Sequence, residues 1–241
     1  MSARAVDIRI LLSLLRGLPR RGSHAESLQA FYGPQAAGYD SFRERLLAGR
    51  RELIGMLSPP AGARIVELGG GTGHNLGYFG EGLARCAGVE IVDLCPALLA
   101  EARRRWADAG NVRVVEADAA TWRPDAPVDC VYFSYALTMM PDWPAAIDNA
   151  LAMLKPGGTL GVVDFYVSSA DPEPGLARHG LFTRHFWPRW FAHDGVHPSP
   201  EHPARLRALM PDHVLHERRA PVPYLPGLRA PYYIFVGRRG G

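Results

Sequence analysis

The sequence predicts a doubly wound α/β fold in which helices cover both faces of a mostly parallel, seven-stranded sheet. Short runs rich in Val, Ile and aromatic residues alternate with helical patterns between residues 62 and 168, as they do in βαβ units. The first of these runs ends in a glycine-rich turn. The last two runs are joined by a proline-rich link that is too short for a helical crossover, so we expect them to pair antiparallel.

The elements are predicted in order from this alternation. A helix over 41–57 precedes strands at 64–66, 87–92, 112–117, 128–134, 159–167, 213–220 and 232–237. Further helices are expected after the glycine-rich turn, over 96–106 and over 143–154. An insertion, residues 170–211, holds many of the aromatic and histidine residues and precedes the last strand pair.

The glycine-rich turn predicts a site for a nucleoside-bearing cofactor. Gly69, Gly71 and Gly73 follow a strand and precede a helical pattern, where bare backbone N–H groups can approach a ligand. The dinucleotide fingerprint Gly-x-Gly-x-x-Gly is broken, because neither register of the turn supplies its third glycine. Glu67 stands two residues before the first glycine, where its carboxylate suits the amino group of a cofactor with an amino-acid tail.

Three further strand ends supply candidate cofactor-binding residues. Asp93, followed by Leu94, ends the second strand about twenty residues past the turn, where an acidic side chain can bond both ribose hydroxyls. Asp118 and Ala119 end the third strand, where the Asp118 carboxylate can accept a bond from an adenine amino group. Ser134 ends the fourth strand, at the crevice where a doubly wound sheet binds its ligands.

These elements together resemble the class I S-adenosylmethionine-dependent methyltransferases. The likeness runs from Glu67 through Asp93 and Asp118 to the Leu-Lys-Pro-Gly-Gly turn at 154–158. It implies S-adenosyl-L-methionine as the cofactor. The length of 241 residues predicts a single domain, with a helical extension (1–57), a cofactor-binding core (62–168), a substrate-side insertion (170–211) and a terminal strand pair (212–239).

The two ends of the chain carry a narrower resemblance, to the bacterial betaine-lipid (diacylglyceryl-homoserine) N-methyltransferases. It rests on RGSHAE at 21–26 with the segment 31–40, on HFWPRWF at 185–191, and on VPYLP at 222–226 with 229–233. The resemblance implies three successive methylations of the homoserine amine. A methyltransferase of another amphiphile, such as phosphatidylethanolamine or a quinone precursor, is the alternative enzyme. A non-catalytic cofactor-binding protein is the alternative outside enzymes.

The candidate catalytic residues are Tyr135, at the end of the fourth strand, with Tyr39 and His193. They and Asp194 are candidates for the base that deprotonates the amine; loss of the proton to water before binding is the alternative to a base. For Tyr135, packing alone is the alternative. Aromatic rings could stabilise a growing ammonium charge or pack on the sheet; the candidates are Tyr32, Tyr39, Tyr135, Tyr166, Trp187 and Tyr224. No metal is expected, because Gly195 and Pro198 argue against a helix that presents His193 and His197 on one face.

Charge and composition limit the binding partners and the cellular location that we expect. The net charge is +3, and residues 1–21 hold five arginines against Asp7 alone, in a pattern that predicts a basic amphipathic helix. Such a helix could lie on a membrane surface or cover the core. We expect no nucleic-acid partner, and a cytoplasmic protein that is peripheral on the inner face of the membrane. The three cysteines are expected to be reduced, and the sequence does not indicate an oligomeric state.

Overall fold

The computed structural model describes residues 22–33, 44–223 and 225–240. Its sheet contains seven strands in the order β3-β2-β1-β4-β5-β7-β6. The strands are β1 (Arg64–Leu68), β2 (Gly88–Asp93), β3 (Val112–Glu116), β4 (Val128–Ser134), β5 (Leu154–Phe165), β6 (His213–Pro221) and β7 (Arg229–Arg238). Strands β1 to β5 are parallel, and β7 pairs antiparallel with both β5 and β6. The predicted fold class is therefore confirmed, including the antiparallel final pair.

Helices flank the sheet on both sides. They are α1 (His24–Tyr32), α2 (Arg50–Leu57), α3 (Pro96–Arg105), α4 (Trp143–Met153), α5 (Leu181–Ala192) and α6 (Glu201–Leu209), with a 3₁₀ helix over His74–Arg85 and a 3₁₀ turn over Leu137–Met139. The 3₁₀ helix stands where the sequence predicted an ordinary helix. Its kink at Gly80, with φ 54° and ψ −135°, and the nearby Gly77 and Gly82 explain the difference, because glycine weakens an α-helix.

The predicted continuous helix over 41–57 is wrong in its middle. A helical turn over 44–46 is separated from α2 by residues 47–49. Gly49 adopts φ +81° there, and a Cβ atom at this position would lie 2.7 Å from Cε2 of Tyr232. The chain therefore bends where only glycine allows it to approach β7. Residues 1–21, with the predicted amphipathic helix, and residues 34–43 lie outside the described residues.

Side chains alternate between the two faces of the sheet, as expected for strands buried on both sides. Ile65, Ile91 and Tyr132 join one buried apolar cluster, whereas their neighbours Val66 and Val92 join the other. Cys86, Cys95 and Cys130 are buried free thiols. Within the described residues, no helix is both long enough and apolar enough to cross a bilayer.

The contact at Gly49 generates a stability prediction. Gly49→Ala should lower the free energy of unfolding by about 2–4 kcal/mol, because it adds a steric clash to the strain of a positive φ. Gly62→Ala is the matched control, since Gly62 has φ +79° but no heavy atom within 4 Å of a Cβ, and it should lose only about 1–2 kcal/mol. Equal losses in denaturant unfolding would contradict the packing argument.

Candidate active site

A cavity of about 220 Å³ opens at the carboxyl ends of the central parallel strands. It lies where a doubly wound sheet binds its ligands, beside the point at which the strand order reverses between β1 and β4. Helix α1 and the 3₁₀ turn after β4 contribute to its walls. Seven predicted site residues line it: Gly69, Gly71, Asp93, Leu94, Asp118, Ala119 and Tyr135.

The glycine-rich turn is folded against the end of β2. The N–H groups of Gly69 and Gly70 both donate to the carbonyl oxygen of Val92, at 2.8 and 3.1 Å. Gly69 and Gly71 have φ +72° and +54°, and a Cβ at Gly69 would stand 2.5 Å from Cβ of Ala136. Glycine is therefore required both for the backbone conformation and for the close approach of the turn after β4.

Asp93 is oriented by two backbone donors. Its Oδ2 accepts from the Gly71 N–H at 2.8 Å and its Oδ1 from the Cys95 N–H at 2.9 Å. A carboxylate can accept about four hydrogen bonds, so these two bonds are compatible with two more from the hydroxyls of a ribose. The geometry fits the role that the sequence predicts for Asp93.

Asp118 stands at the exposed rim of the same cavity. Its Oδ1 accepts from the Ala120 N–H at 2.8 Å, which leaves Oδ2 as the oxygen that can meet a ligand donor. The adjoining Ala119 is buried. This arrangement fits a planar, amino-bearing ring beyond the ribose.

Glu67 does not border the cavity. Its side chain is fully buried, and Oε1 accepts from Nδ2 of Asn75 at 2.7 Å. The fully buried Tyr132 hydroxyl lies next to the same carboxyl group, outside the geometry of a full hydrogen bond, so Oε2 has no partner within the described residues. Burial raises the pKa of Glu67 to about 7. Glu67 therefore supports the turn from beneath, and its predicted contact with the cofactor stays a prediction.

The remaining predicted residues lie elsewhere. A Cβ on Gly73 would stand 2.6 Å from Ile91 and 2.8 Å from Nε1 of Trp106, so Gly73 serves packing. Ser134 is buried and does not line the cavity. His193 is exposed beyond the last residue of α5, also outside the cavity lining. Tyr39 lies outside the described residues, as does Tyr224.

Tyr135 lines the cavity in a strained conformation. It has φ +54°, a left-handed conformation that a bulky residue rarely adopts. Its hydroxyl donates to the carbonyl oxygen of Ala48 at 2.7 Å, and its ring packs edge-on against Phe165, 4.6 Å between centroids. Since the hydroxyl proton is held by the backbone, the ring is the part of Tyr135 that can act on a ligand.

Sequence reasoning missed several other residues of the cavity wall. His24, Met139, Met140 and Asp142 line the cavity but were given no role. His24 is half-buried, and burial lowers its pKa although Asp118 and Asp93 act in the opposite direction. The only signal for His24 was its place in the N-terminal segment of the betaine-lipid resemblance.

The turn after β4 is held by a buried carboxylate. Oδ1 of Asp164 accepts from the Thr138 hydroxyl at 2.7 Å, and Oδ2 accepts from the Thr138 N–H at 3.1 Å. The Thr138 carbonyl in turn accepts from the N–H of His197 at 2.7 Å. The insertion and β5 thus position Met139 and Met140 against the cavity.

Fold and site together define a class: Rossmann-like α/β proteins that bind a nucleoside-bearing cofactor in a carboxylate-lined crevice. A methyltransferase-domain family model matches residues 39–213. The chain belongs to the class I S-adenosylmethionine-dependent methyltransferases. S-adenosylmethionine is its cofactor, and the glycine-rich turn, Asp93 and Asp118 fit the adenosine part of that molecule.

The chain is also similar to individual methyltransferases. It is 30% identical over 173 residues to the ubiquinone/menaquinone biosynthesis C-methyltransferase UbiE of Pseudomonas entomophila, a match that covers 61% of this chain and 68% of that protein. The phosphoethanolamine N-methyltransferase 2 of Haemonchus contortus superposes with a TM-score of 0.70 at 12% identity, covering 92% of this chain and 61% of that one.

A smaller methyltransferase also shares the fold. The N-methyltransferase NodS of Bradyrhizobium japonicum, solved with S-adenosylhomocysteine, superposes with a TM-score of 0.63 at 18% identity and covers 91% of this chain and 100% of its own. At these identities, the two structural likenesses establish the fold.

Glu67 generates a prediction on pH. Its folded-state pKa of about 7 exceeds the ordinary value of 4.5 for a glutamate, so the stability it contributes is complete below pH 4.5 and is lost as the pH rises through 7. Glu67→Gln should therefore gain about 3 kcal/mol of unfolding free energy relative to the wild type between pH 4 and pH 8. The measurement is denaturant unfolding without cofactor, with exposed Glu173→Gln as control. A pH-independent difference would contradict the assignment.

Asp93 generates a prediction on cofactor affinity. Asp93→Ala should weaken S-adenosylmethionine binding by about a hundredfold or more, because two hydrogen bonds to a charged acceptor are lost. Calorimetry measures the effect, and Asp125→Ala is the control, since the Asp125 side chain is 86% exposed and lies outside the cavity. Unchanged affinity in a folded Asp93→Ala protein would refute the ribose contact.

Proposed function

We propose that this methyltransferase converts diacylglyceryl-homoserine to diacylglyceryl-N,N,N-trimethylhomoserine, a betaine lipid, by successive transfers of methyl groups to one amine. The proposal combines the chemistry of the cavity wall with the resemblance of the N-terminal, insertion and C-terminal segments to betaine-lipid N-methyltransferases.

The charge of the cavity wall is the observation that carries the proposal. Asp142 is the acidic lining residue that remains once Asp93 and Asp118 are assigned to the adenosine, and none of the described lining residues is Arg or Lys. A wall of this kind attracts an amine that becomes cationic and disfavours a phosphate group, which proteins usually bind with arginine, lysine or backbone N–H groups. The wall therefore favours an amine as the acceptor, and the choice of the homoserine lipid among amine acceptors rests on the resemblance of the N-terminal, insertion and C-terminal segments.

Aromatic and thioether groups supply a second argument. Tyr32, Tyr135, Met139 and Met140 line the cavity, and the Tyr32 hydroxyl donates to Sδ of Met139 at 2.9 Å. Ring faces attract ammonium groups by about 0.5–2 kcal/mol, and methionine adapts its shape to a neighbour. Such a wall suits an amine that grows from primary to quaternary, because it tolerates each added methyl group.

The site residues act mainly by positioning the reactants, which can lower the barrier to methyl transfer by several kcal/mol. Bound S-adenosylmethionine supplies an electrophilic methyl group. Asp93 and Asp118 hold the adenosine, and the rings of Tyr32 and Tyr135 hold the amine. We propose that the amine loses its proton to water before it enters, because the Tyr135 hydroxyl already donates to Ala48.

Catalytic roles for Tyr39 and His193 remain predictions. Tyr39 lies outside the described residues, and His193 is exposed. A catalytic role for either residue requires its side chain to lie beside the bound amine, and His193 does not line the cavity.

Methylation of a quinone precursor at carbon is the second candidate. Curated relatives at 30% identity are quinone-biosynthesis C-methyltransferases, whereas the structural likenesses include N-methyltransferases. The acceptors of both candidate reactions are amphiphiles. We therefore also propose that the enzyme is cytoplasmic and works at the inner membrane surface, with residues 1–21 as one contact.

The deciding experiment supplies three acceptors in the same detergent micelles: diacylglyceryl-homoserine, phosphatidylethanolamine and a demethylated menaquinol. Methyl-labelled S-adenosylmethionine is added, and the products are analysed by mass spectrometry. We expect up to three labelled methyl groups on the homoserine amine and none on the other two acceptors. Asp93→Ala, the control, should abolish the label. A carbon-methylated quinol alone would establish the second candidate instead.

A further inference from the structure

One face of α5 is apolar, aromatic and open to solvent. Leu181 and Phe182 are 67% and 61% exposed. The Phe182 ring stacks on Phe186 at 5.0 Å between centroids, and Phe186 stacks on Trp190 at 5.7 Å. We call Leu181, Phe182, Phe186 and Trp190 the α5 surface. Leu181 and Phe182 are more exposed than any other large apolar residue that the structure describes, so this surface lacks a partner for two large side chains.

The opposite face of α5 is fixed to the core beside the cavity. Trp187 and Phe191 are 1% and 4% exposed. Phe191 stacks on Phe165 at 4.5 Å, and Phe165 contacts Tyr135 at 4.6 Å. Because Tyr135 lines the cavity, two ring contacts join the buried side of α5 to the site. The α5 surface is therefore the outer face of a helix whose inner face packs towards the cavity.

The α5 helix itself carries basic residues and no acidic ones. Between residues 176 and 193 the chain holds Arg178, Arg184 and Arg189 and no Asp or Glu. Arg178 and Arg189 are exposed, and Nη1 of Arg189 donates to the His185 carbonyl at 2.9 Å, which holds its guanidinium along the helix. An apolar surface flanked by arginines is complementary to anionic lipid, with phosphates for the guanidinium groups and acyl chains for the rings.

We propose that the α5 surface is a membrane-docking site, which inserts Leu181 and Phe182 into the interface of an anionic bilayer. Its biological purpose rests on the proposed lipid substrate, whereas its binding to a bilayer does not. A second protein copy fits less well, because a stable interface buries about 800 Å² on each partner and the flanking arginines of two copies would repel each other.

The test measures sedimentation of the full-length protein with vesicles of phosphatidylcholine, alone or with added phosphatidylglycerol. Leu181→Ser with Phe182→Ser should reduce partitioning onto the anionic vesicles by about tenfold or more. Arg178→Gln with Arg189→Gln should reduce it by roughly fivefold for each charge and flatten its salt dependence. Leu209→Ser with Val214→Ser is the matched control, because Leu209 and Val214 are 41% and 48% exposed on other elements.

Two further measurements separate the explanations. S-adenosylmethionine affinity by calorimetry reports whether each variant is folded, and methylation in detergent micelles reports catalysis without a bilayer. Loss of vesicle binding with both properties retained supports the proposal, and it does so even if the acceptor is not diacylglyceryl-homoserine. A full-length Arg4→Gln, Arg9→Gln, Arg16→Gln variant measures the contribution of the N-terminal segment.

Three outcomes would overturn the docking site. The first is wild-type vesicle binding by the Leu181, Phe182 variant. The second is an equal loss in the Leu209, Val214 control. The third is a wild-type dimer that becomes a monomer in the Leu181→Ser, Phe182→Ser variant, measured by analytical ultracentrifugation, while both proteins bind vesicles equally. That result would assign the surface to a second copy of this chain.

Discussion

The bond from the Gly71 N–H to the Asp93 carboxylate, 2.8 Å long, is the interaction on which the site depends. It joins the turn after β1 to the end of β2, so the carboxylate that is predicted to bind a ribose also fixes the backbone of the glycine-rich turn. The carbonyl of Val92 accepts from Gly69 and Gly70 and holds the first half of the turn on the same strand. Cofactor affinity and turn conformation are therefore coupled, and a change at Asp93 disturbs both.

A polar chain beneath the turn extends this coupling to the N-terminal part of the protein. Glu67 accepts from Asn75 at 2.7 Å, Asn75 accepts from Nη1 of Arg50 at 3.1 Å, and Nη2 of Arg50 donates to Glu44 at 2.8 Å. Glu44 also contacts His74 at 2.9 Å and Tyr78 at 2.5 Å. Burying a carboxyl group is costly unless it is bonded or neutral. Burial therefore raises the pKa of Glu67, and the network, which satisfies only one of its oxygens, offsets that rise only in part.

The cofactor half of the site was predictable because its information is local in sequence. A strand, a glycine turn and an acidic strand end each lie within a few residues, and parallel strands bring their carboxyl ends to one edge of the sheet. That is why Gly69, Asp93 and Asp118 meet at the cavity. Glu67 shows the limit of the same reasoning: its position in the strand was clear, but the motif alone did not reveal that its side chain is fully buried and does not line the cavity.

The acceptor half was much less predictable, because it is assembled from distant segments. Helix α1 brings Tyr32 against Met139, 107 residues away. Asp164, on β5, accepts a hydrogen bond from Thr138 in the turn after β4. Neither contact leaves a local pattern, and the positive φ of Tyr135 is set by its surroundings rather than by its residue type.

The same physical division explains how one fold serves many acceptors. In the site that we propose, the turn, Asp93 and Asp118 meet a cofactor that stays the same, so local geometry suffices to hold them. The proposed acceptor wall is built from α1 and the turn after β4, and the insertion supports that turn through the bond from the His197 N–H to the Thr138 carbonyl. The sequences of these segments can change without altering the strand order. Helix α5 belongs to this variable half, since its buried rings reach Tyr135 through Phe165. A contact on the outer face of α5 would therefore bear on the orientation of the acceptor and leave the cofactor site untouched.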